Sequence, residues 1–177
     1  ADSLAWRTGG NTGTTNTNFL GTRTNNPLII KTNNAEVARF TGNKELGIGT
    51  ATPNSTYGYA KVEIASEGYL APTDLLIRNA VNDGGYAPGL VFQHARGTLA
   101  TPLTVNNGDY LSAISTMNYD GSNYVLSAGL DIYADGAIAP GIVPTRLQFN
   151  TMNNTGGYAS RLTIKNDGKV GISTTTP

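Results

Sequence analysis

The sequence has no cysteine and only one histidine, His94, in 177 residues. The lack of cysteine excludes disulfide bonds and zinc sites with thiolate ligands. With a single histidine, neither a His-based catalytic triad nor a multi-histidine metal site is favoured. Charged residues are also scarce, at 14%, and their signs balance to a net charge of +0. The chain therefore carries no footprint of nucleic-acid binding or of attachment to an anionic membrane surface.

Long apolar runs and sustained helical periodicity are missing as well. No stretch approaches the roughly 18 apolar residues of a membrane span. The opening ADSLAWRTGG lacks the basic and apolar regions of a signal peptide. The 3.6-residue apolar pattern fails beyond two turns throughout. We therefore predict no membrane insertion and very little helix.

What the sequence does contain is apolar alternation with a period of two. Turn signals recur about every ten residues, which is typical of an all-β sandwich, barrel or fibre. The fold class predicted from this pattern is all-β. The predicted strands are 27–33, 35–42, 60–66, 74–79, 89–95, 109–116, 124–135, 145–150, 160–166 and 168–173.

The composition changes twice along the chain and predicts three parts. Residues 1–56 are rich in Thr, Asn and Gly and form a thin N-terminal β-segment that ends in GIGTATP. Residues 57–158 hold longer strands and most of the Tyr and Leu, which predicts a globular β-sandwich domain. Residues 159–177 return to the first composition and form a C-terminal β-hairpin that ends in GISTTTP.

One short motif occurs twice, as NKELGIGTATP at 43–53 and DGKVGISTTTP at 167–177. In each copy two alternating apolar residues precede a tight turn, two more flank a glycine (Gly47 or Gly171), and T-x-T-P follows. Asn-Asp-Gly is strong hairpin chemistry because these residues tolerate positive φ. Proline cannot donate a ladder hydrogen bond, so we expect it to close the strand.

Such a hairpin cannot be stable alone. At most four apolar side chains, at about 1.5–3 kcal/mol each, face an ordering cost of about 1–2 kcal/mol per residue. We infer that equivalent hairpins of neighbouring chains meet around an axis, where the glycines permit close backbone approach. The alternative is an edge hairpin packed on its own domain. The predicted trimer core comprises Phe40, Leu46, Ile48, Leu162, Ile164, Val170 and Ile172.

The repeated motif also resembles a known signature. GIGTATP and GISTTTP are similar to the GNVGIGTTxP signature of phage tail fibres and related bacterial surface fibres, including Bacteroidetes-like sequences. The opening WRTGGNTGTTNTNFLGTRTNNPLIIKTNN and the segment TPNSTYGYAKVEI resemble further parts of these fibres.

The middle of the chain is similar to a recurring tail-fibre module, although PGIVPTRLQF is longer than the compact connection of that module. The matching positions are Arg96, Gly97, Thr98, Gly108, Asp109, Tyr119, Asp120, Gly121, Asp135, Gly136, Arg146, Leu147 and Phe149.

The resemblance implies a homotrimeric fibre of intertwined β-segments that flank a β-sandwich-like domain. The implied role is a structural or receptor-binding segment of a phage tail fibre that attaches to a host surface. The implied partners are other fibre or baseplate proteins and a host cell-surface glycan or protein, and the implied location is the virion, outside the cell. Two alternatives stay open: a bacterial extracellular adhesin or surface-filament subunit, and a polysaccharide depolymerase spike. The signature would equally suit a helical filament with head-to-tail contacts.

Catalytic and metal-binding candidates are weak, so we expect no enzyme, cofactor or metal. His94 is in phase with Leu90 and Phe92, which favours a buried or interface histidine; three copies on an axis could also hold a metal or anion. Glycoside hydrolysis requires two carboxylates. The candidates are Asp131 with Asp135, Asp109 with Asp120, and Asp83. Of these, Asp120 and Asp135 lie in Asp-Gly turns, where Asp has a routine structural use.

The loop NYDGSNY at 118–124 is the preferred contact surface. Tyrosine beside Asn and Asp is the usual composition of a sugar-binding surface, because a stacking face lies next to hydrogen-bonding groups. The candidate receptor or glycan contacts are Tyr119, Asp120, Asn123 and Tyr124. The alternative is that these tyrosines simply pack on the strands.

Overall fold

A computed structural model describes residues 10–53, 60–68, 73–80, 82 and 84–177. The chain divides into two compact units, Ala1–Leu76 and Ile77–Pro177. The described ranges contain strands and turns and no helix, so the predicted all-β class is confirmed.

The first unit contains one sheet of four strands in the order β1-β2-β3-β4. Its strands are β1 (Leu28–Thr32), β2 (Ala35–Phe40), β3 (Leu46–Ile48) and β4 (Val62–Ile64). Asn33 and Asn34 join β1 to β2 with φ of 47° and 60°. Two consecutive residues with positive φ form the turn that matches strand twist, which is why Asn suits both positions. β3 pairs antiparallel with β2 and parallel with β4.

The second unit contains a five-stranded antiparallel sheet in the order β11-β10-β9-β8-β7, and a small two-stranded ribbon, β5-β6. Its strands are β5 (Arg96–Gly97), β6 (Pro102–Leu103), β7 (Tyr110–Tyr119), β8 (Tyr124–Ala134), β9 (Thr145–Met152), β10 (Tyr158–Ile164) and β11 (Val170–Ile172). β10 pairs with both β9 and β11, so the C-terminal hairpin continues the same sheet. The predicted division at residues 56 and 158 stays a prediction.

Two predicted strands, 74–79 and 89–95, are wrong for the single chain. Both segments are described, and neither pairs as a strand with the described residues. Every residue from 84 to 104 is exposed, including Val91 at 78%. Apolar alternation indicates that a segment can be a strand, but a strand also requires a neighbour to accept its hydrogen bonds.

The described part of the chain has very little apolar core. Its buried hydrophobic residues are Val105 and Ala134, whereas the buried polar group includes Asp131, Asn150 and Thr163. Within the second unit, the described strands provide no second sheet that faces the five-stranded sheet. The second layer of a sandwich is therefore not formed by the described strands of one chain.

Candidate functional site

The hairpin tip between β7 and β8 brings the four predicted contact residues together. Tyr119 and Tyr124 are opposite each other in the ladder, with ring centroids 5.4 Å apart and the rings tilted by 54°. Asp120 folds the tip, because its Oδ1 accepts the backbone N–H groups of Ser122 and Asn123 at 2.7 Å. This Asx-type turn explains why Asp precedes Gly here.

The surface of this tip is aromatic and open. Tyr119 is 61% exposed and Tyr124 is 54% exposed. The Tyr119 hydroxyl donates to the backbone carbonyl of Gly121 at 3.1 Å. The backbone N–H groups of Asn123 and Ser122 hold the pKa of Asp120 below its usual value. The tip therefore offers two aromatic faces beside an ionised carboxylate, a combination that can bind the apolar face of a sugar ring and its hydroxyls.

The acid pair Asp131 and Asp135 is held by structural contacts. Asp131 is buried and accepts hydrogen bonds from the Tyr110 hydroxyl at 2.9 Å and from Asn150 Nδ2 at 2.7 Å. Asp135 receives the Lys165 ammonium at 2.6 Å and an Arg146 N–H at 3.4 Å. Burial alone would raise the pKa of Asp135, but the hydrogen bond from Lys165 and the Asn166 N–H outweigh it and lower the pKa.

The other acid pair is not brought together by the fold. Asp109 precedes β7 and Asp120 follows it, so the ten-residue strand separates them. Asp109 forms a bidentate ion pair with Arg96, with N–O distances of 2.7 and 2.6 Å. It also accepts the backbone N–H of Asn106 at 2.8 Å. The Arg96 and Asn106 hydrogen bonds lower the pKa of Asp109 to about 2. The third candidate, Asp83, lies outside the described residues.

His94 is exposed in the single chain, which leaves the interface position of the predicted buried or interface histidine. The physical reason is the same as for strand 89–95, since nothing in the described chain covers that segment. An interface role for His94 stays a prediction. In the part of the chain that the structure describes, no group of three or more His, Asp or Glu side chains could hold a metal ion.

The two copies of the repeated motif fold into hairpins with the same register. Phe40 pairs with Leu46 and Ala38 with Ile48; in the second copy Ile164 pairs with Val170 and Leu162 with Ile172. The hydrogen bond from Thr41 N to Glu45 O measures 2.9 Å, and so does its counterpart from Lys165 N to Lys169 O. Every matching position is 124 residues apart, as for Leu46 and Val170.

The T-x-T-P tail folds over the motif glycine in both copies. A Cβ added to Gly47 would lie 2.7 Å from the Thr50 carbonyl oxygen and 3.3 Å from Pro53. A Cβ added to Gly171 would lie 2.5 Å from the Thr174 carbonyl oxygen and 3.3 Å from Pro177. The predicted close backbone approach therefore occurs, but the approaching backbone is the chain's own tail.

The predicted core residues lie on the hairpin face opposite the tail. Neighbouring strand residues point to opposite faces. Because Gly47 and Gly171 face the tails, the apolar residues beside them face away. In one chain this face is largely open: Ile172 is 78% exposed and Phe40 is 46% exposed. Leu46, Leu162 and Ile164 are half-buried, while Ile48 and Val170 are exposed. The role of these seven residues in a shared core stays a prediction.

A cavity of about 430 Å³ lies in the first unit, and sequence reasoning missed it. Leu20, Leu28 and Phe40 contribute apolar lining, and Asn25 and Asn26 contribute polar lining. Gly42 lies beside it, and a Cβ at that position would require the Asn25 side chain to shift. The loop 20–26 that builds this cavity lies within the opening segment that resembles tail fibres, but neither that resemblance nor apolar periodicity indicated a cavity.

Comparison with solved structures identifies the fold. The chain superimposes on the carboxy-terminal domain of the bacteriophage T5 L-shaped tail fibre, solved with its intramolecular chaperone domain, with a TM-score of 0.63 and 14% identity. A second structure of that carboxy-terminal domain gives a TM-score of 0.56 and 15% identity. The fold is that of a phage tail-fibre domain.

The two matches cover 80% of this chain but only 42% and 60% of the T5 chains, so the sequence spans about half the length of these neighbours. No family model and no curated protein matches the sequence. Among the described residues, no helix is long and apolar enough to cross a membrane.

Proposed function

We propose that this chain is a segment of a phage tail fibre in which three copies intertwine. The observation that carries the proposal is the exposed stretch at 89–95, in which apolar residues alternate as in a strand. Leu90, Val91 and Phe92 are all more than half exposed, and the segment forms no strand with the described residues. We infer that this alternating segment becomes a strand when a second chain supplies its hydrogen-bonding partner.

The total exposed area supports the same proposal. The chain exposes 13869 Å². Two separate folded domains, each of half this mass, would expose about 9,900 Å² together. The excess of about 4,000 Å² per chain is more than the roughly 1,000–2,500 Å² that each partner of an obligate pair commonly buries, as expected for a chain that contacts two neighbours. A chain with so little apolar core gains its stability by burying this surface against other copies.

The intertwined arrangement would also complete the second unit. Its five-stranded sheet lacks a facing sheet among the described strands, and neighbouring copies would supply that second layer. The open faces of the two repeated hairpins would meet their counterparts at the same time. Phe40, Leu46 and Ile48 would form one core layer, and the four apolar residues of the C-terminal hairpin would form another.

Host attachment is the proposed role of the fibre segment, with the β7–β8 tip as the contact surface. The Tyr119 and Tyr124 rings project at a turn that Asp120 holds in place, so the surface is organised before binding. A phage virion is favoured over a bacterial filament because the matching solved structures belong to a phage tail fibre. A depolymerase is not favoured, since Asp131, Asp135 and Asp109 are each held by structural partners.

Hydrogen exchange tests the proposal at the stretch that carries it. In an isolated chain, the amides of residues 89–95 have no strand partner and exchange rapidly. In the proposed trimer they are protected, and the protection persists at every concentration at which the trimer mass persists. The β7–β8 amides serve as the internal control because their partners lie within one chain. Rapid exchange of residues 89–95 at all concentrations would contradict the proposal.

A further inference from the structure

The two copies of the hairpin differ in what lies at their outer edge. In the first copy, β4 lies beside β3 in parallel, with Leu46 opposite Val62 and Ile48 opposite Ile64. The Leu46 N–H donates to the Lys61 carbonyl and the Ile48 carbonyl accepts the Ala65 N–H, both at 2.9 Å. In the second copy, β11 has only β10 as a neighbour among the described strands.

The outer edge of β11 has the same hydrogen-bonding groups in the same positions. The bonds from Lys165 N to Lys169 O and from Ser173 N to Arg161 O fix the alternation of the β10–β11 ladder. Bonded and non-bonded pairs alternate in an antiparallel ladder. Val170 and Ile172 therefore direct their N–H and C=O groups away from β10, as Leu46 and Ile48 do from β2.

We propose that the outer edge of β11 binds a parallel strand of the β4 type, with the residue pattern basic–apolar–acidic–apolar shown by Lys61-Val62-Glu63-Ile64. The docked strand would place its two apolar residues opposite Val170 and Ile172. It would extend the open apolar face of the hairpin by one strand, and its acidic residue would lie opposite Gly171. The inference rests on the equivalence of the two hairpins, and it holds whether or not the chains form a trimer.

One residue makes the second edge more restrictive than the first. Gly49 lies close under β4, since a Cβ there would be 2.1 Å from the Ala65 carbonyl oxygen. The matching residue of the second copy is Ser173, which has a Cβ and adopts the same left-handed backbone, with φ of 59° against 73°. A strand docked on β11 must therefore diverge from it one residue earlier than β4 diverges from β3. Ser173 is the residue that sets this length limit.

A grafted extension tests the proposal on the full chain. Residues 54–68 follow the first motif, and a copy of that sequence is joined after Pro177 so that the spacing is preserved. The readout is the exchange rate of the Val170 amide. We expect this rate to fall by at least about tenfold on grafting. The Leu46 amide reports the β3–β4 pairing in the same sample, and the β7–β8 amides report that the fold is intact.

Matched variants decide between outcomes. Proline in place of the grafted copies of Glu63 and Ala65 removes both ladder donors, and we expect the Val170 rate to return to that of the parent chain. Ser173→Gly in the grafted chain should slow Val170 exchange further. An unchanged Val170 rate in the unmodified graft would overturn the proposal. So would concentration-dependent protection of Val170 in the parent chain, because a second copy would then occupy the edge.

Discussion

The carbonyl oxygen of Thr50 lies over Gly47, 2.7 Å from the position that a Cβ of residue 47 would occupy. Gly171 has the same relation to Thr174. This contact explains why the motif places a glycine between two apolar residues and ends in T-x-T-P. The glycine seats the tail on one face of the hairpin and leaves the other face apolar.

Alanine at the motif glycine should therefore destabilise the hairpin. We expect Gly47→Ala to reduce the free energy of unfolding by about 1–3 kcal/mol, because the tail backbone must move to admit the methyl group. Gly84→Ala is the matched control, since no atom lies within 4 Å of a Cβ at that position. Chemical denaturation at one fixed protein concentration measures both. Equal stability of the two variants would show that the tail contact is unimportant.

The ion pair between Arg96 and Asp109 should make stability sensitive to acid. The folded-state pKa of Asp109 is about 2, below its ordinary value of 3.8. Because this pKa is lower in the folded state, the carboxylate contributes its full stabilisation at a pH above its unfolded-state pKa. That contribution is lost as the pH falls from about 4 towards 2. Asp109→Asn should lower the melting temperature at pH 6, and its difference from the parent should shrink on acidification. A difference that stays constant from pH 6 to pH 2 would contradict this assignment.

The buried carboxylate of Asp131 should depend on Tyr110. We expect Tyr110→Phe to cost about 1–3 kcal/mol of stability, because it deprives a buried acceptor of a donor. Tyr124→Phe makes the same chemical change at a tyrosine of similar exposure, 54% against 45% for Tyr110, and should have little effect. Thermal or urea unfolding compares the two. If Tyr110→Phe were as stable as the parent, Asp131 would not need that hydrogen bond.

The exposed segment 89–95 should control assembly. Replacing Leu90 and Phe92 by Asn should weaken the association of chains, because association would then bury two polar amide groups in place of two apolar side chains. Leu99→Asn is the control, at the turn of the β5–β6 ribbon. Light scattering on the two variants at equal concentration separates them. Unchanged mass in the Leu90/Phe92 variant would place the interface elsewhere.

The tyrosine pair at the β7–β8 tip should matter for binding and not for assembly. The double variant Tyr119→Ala/Tyr124→Ala should bind host-surface glycan at least about tenfold more weakly, because aromatic anchors dominate such contacts. Its solution mass should equal that of the parent. Tyr86→Ala removes another exposed tyrosine and is the control. Equal binding by parent and double variant would remove the tip as the contact surface.

Local patterns in the sequence predicted the parts of the fold that depend on neighbouring residues. The predicted strands 27–33 and 35–42 leave room only for a tight turn between them, and Asn33 and Asn34 adopt the positive φ of such a turn. The repeated motif likewise predicted two equivalent hairpins, and their registers match. The sequence of residues 118–124 also predicted a single contact loop, and the fold brings the Tyr119 and Tyr124 side chains of this loop together.

The remaining features depend on chain segments that are not adjacent, and local patterns do not encode them. Leu90 and Phe92 alternate like strand residues, but alternation does not reveal that the partner strand is missing from the described chain. Arg96 and Asp109 are 13 residues apart, and nothing in their spacing marks them as an ion pair. The cavity beside Phe40 depends on an irregular loop whose backbone has no periodic signal.

The central claim is that one chain is an incomplete fold that three copies complete. Light scattering across a dilution series of the 177-residue chain tests it most directly. The account predicts a mass of three times 18.5 kDa that persists on dilution. A stable, folded monomer at all concentrations would contradict it.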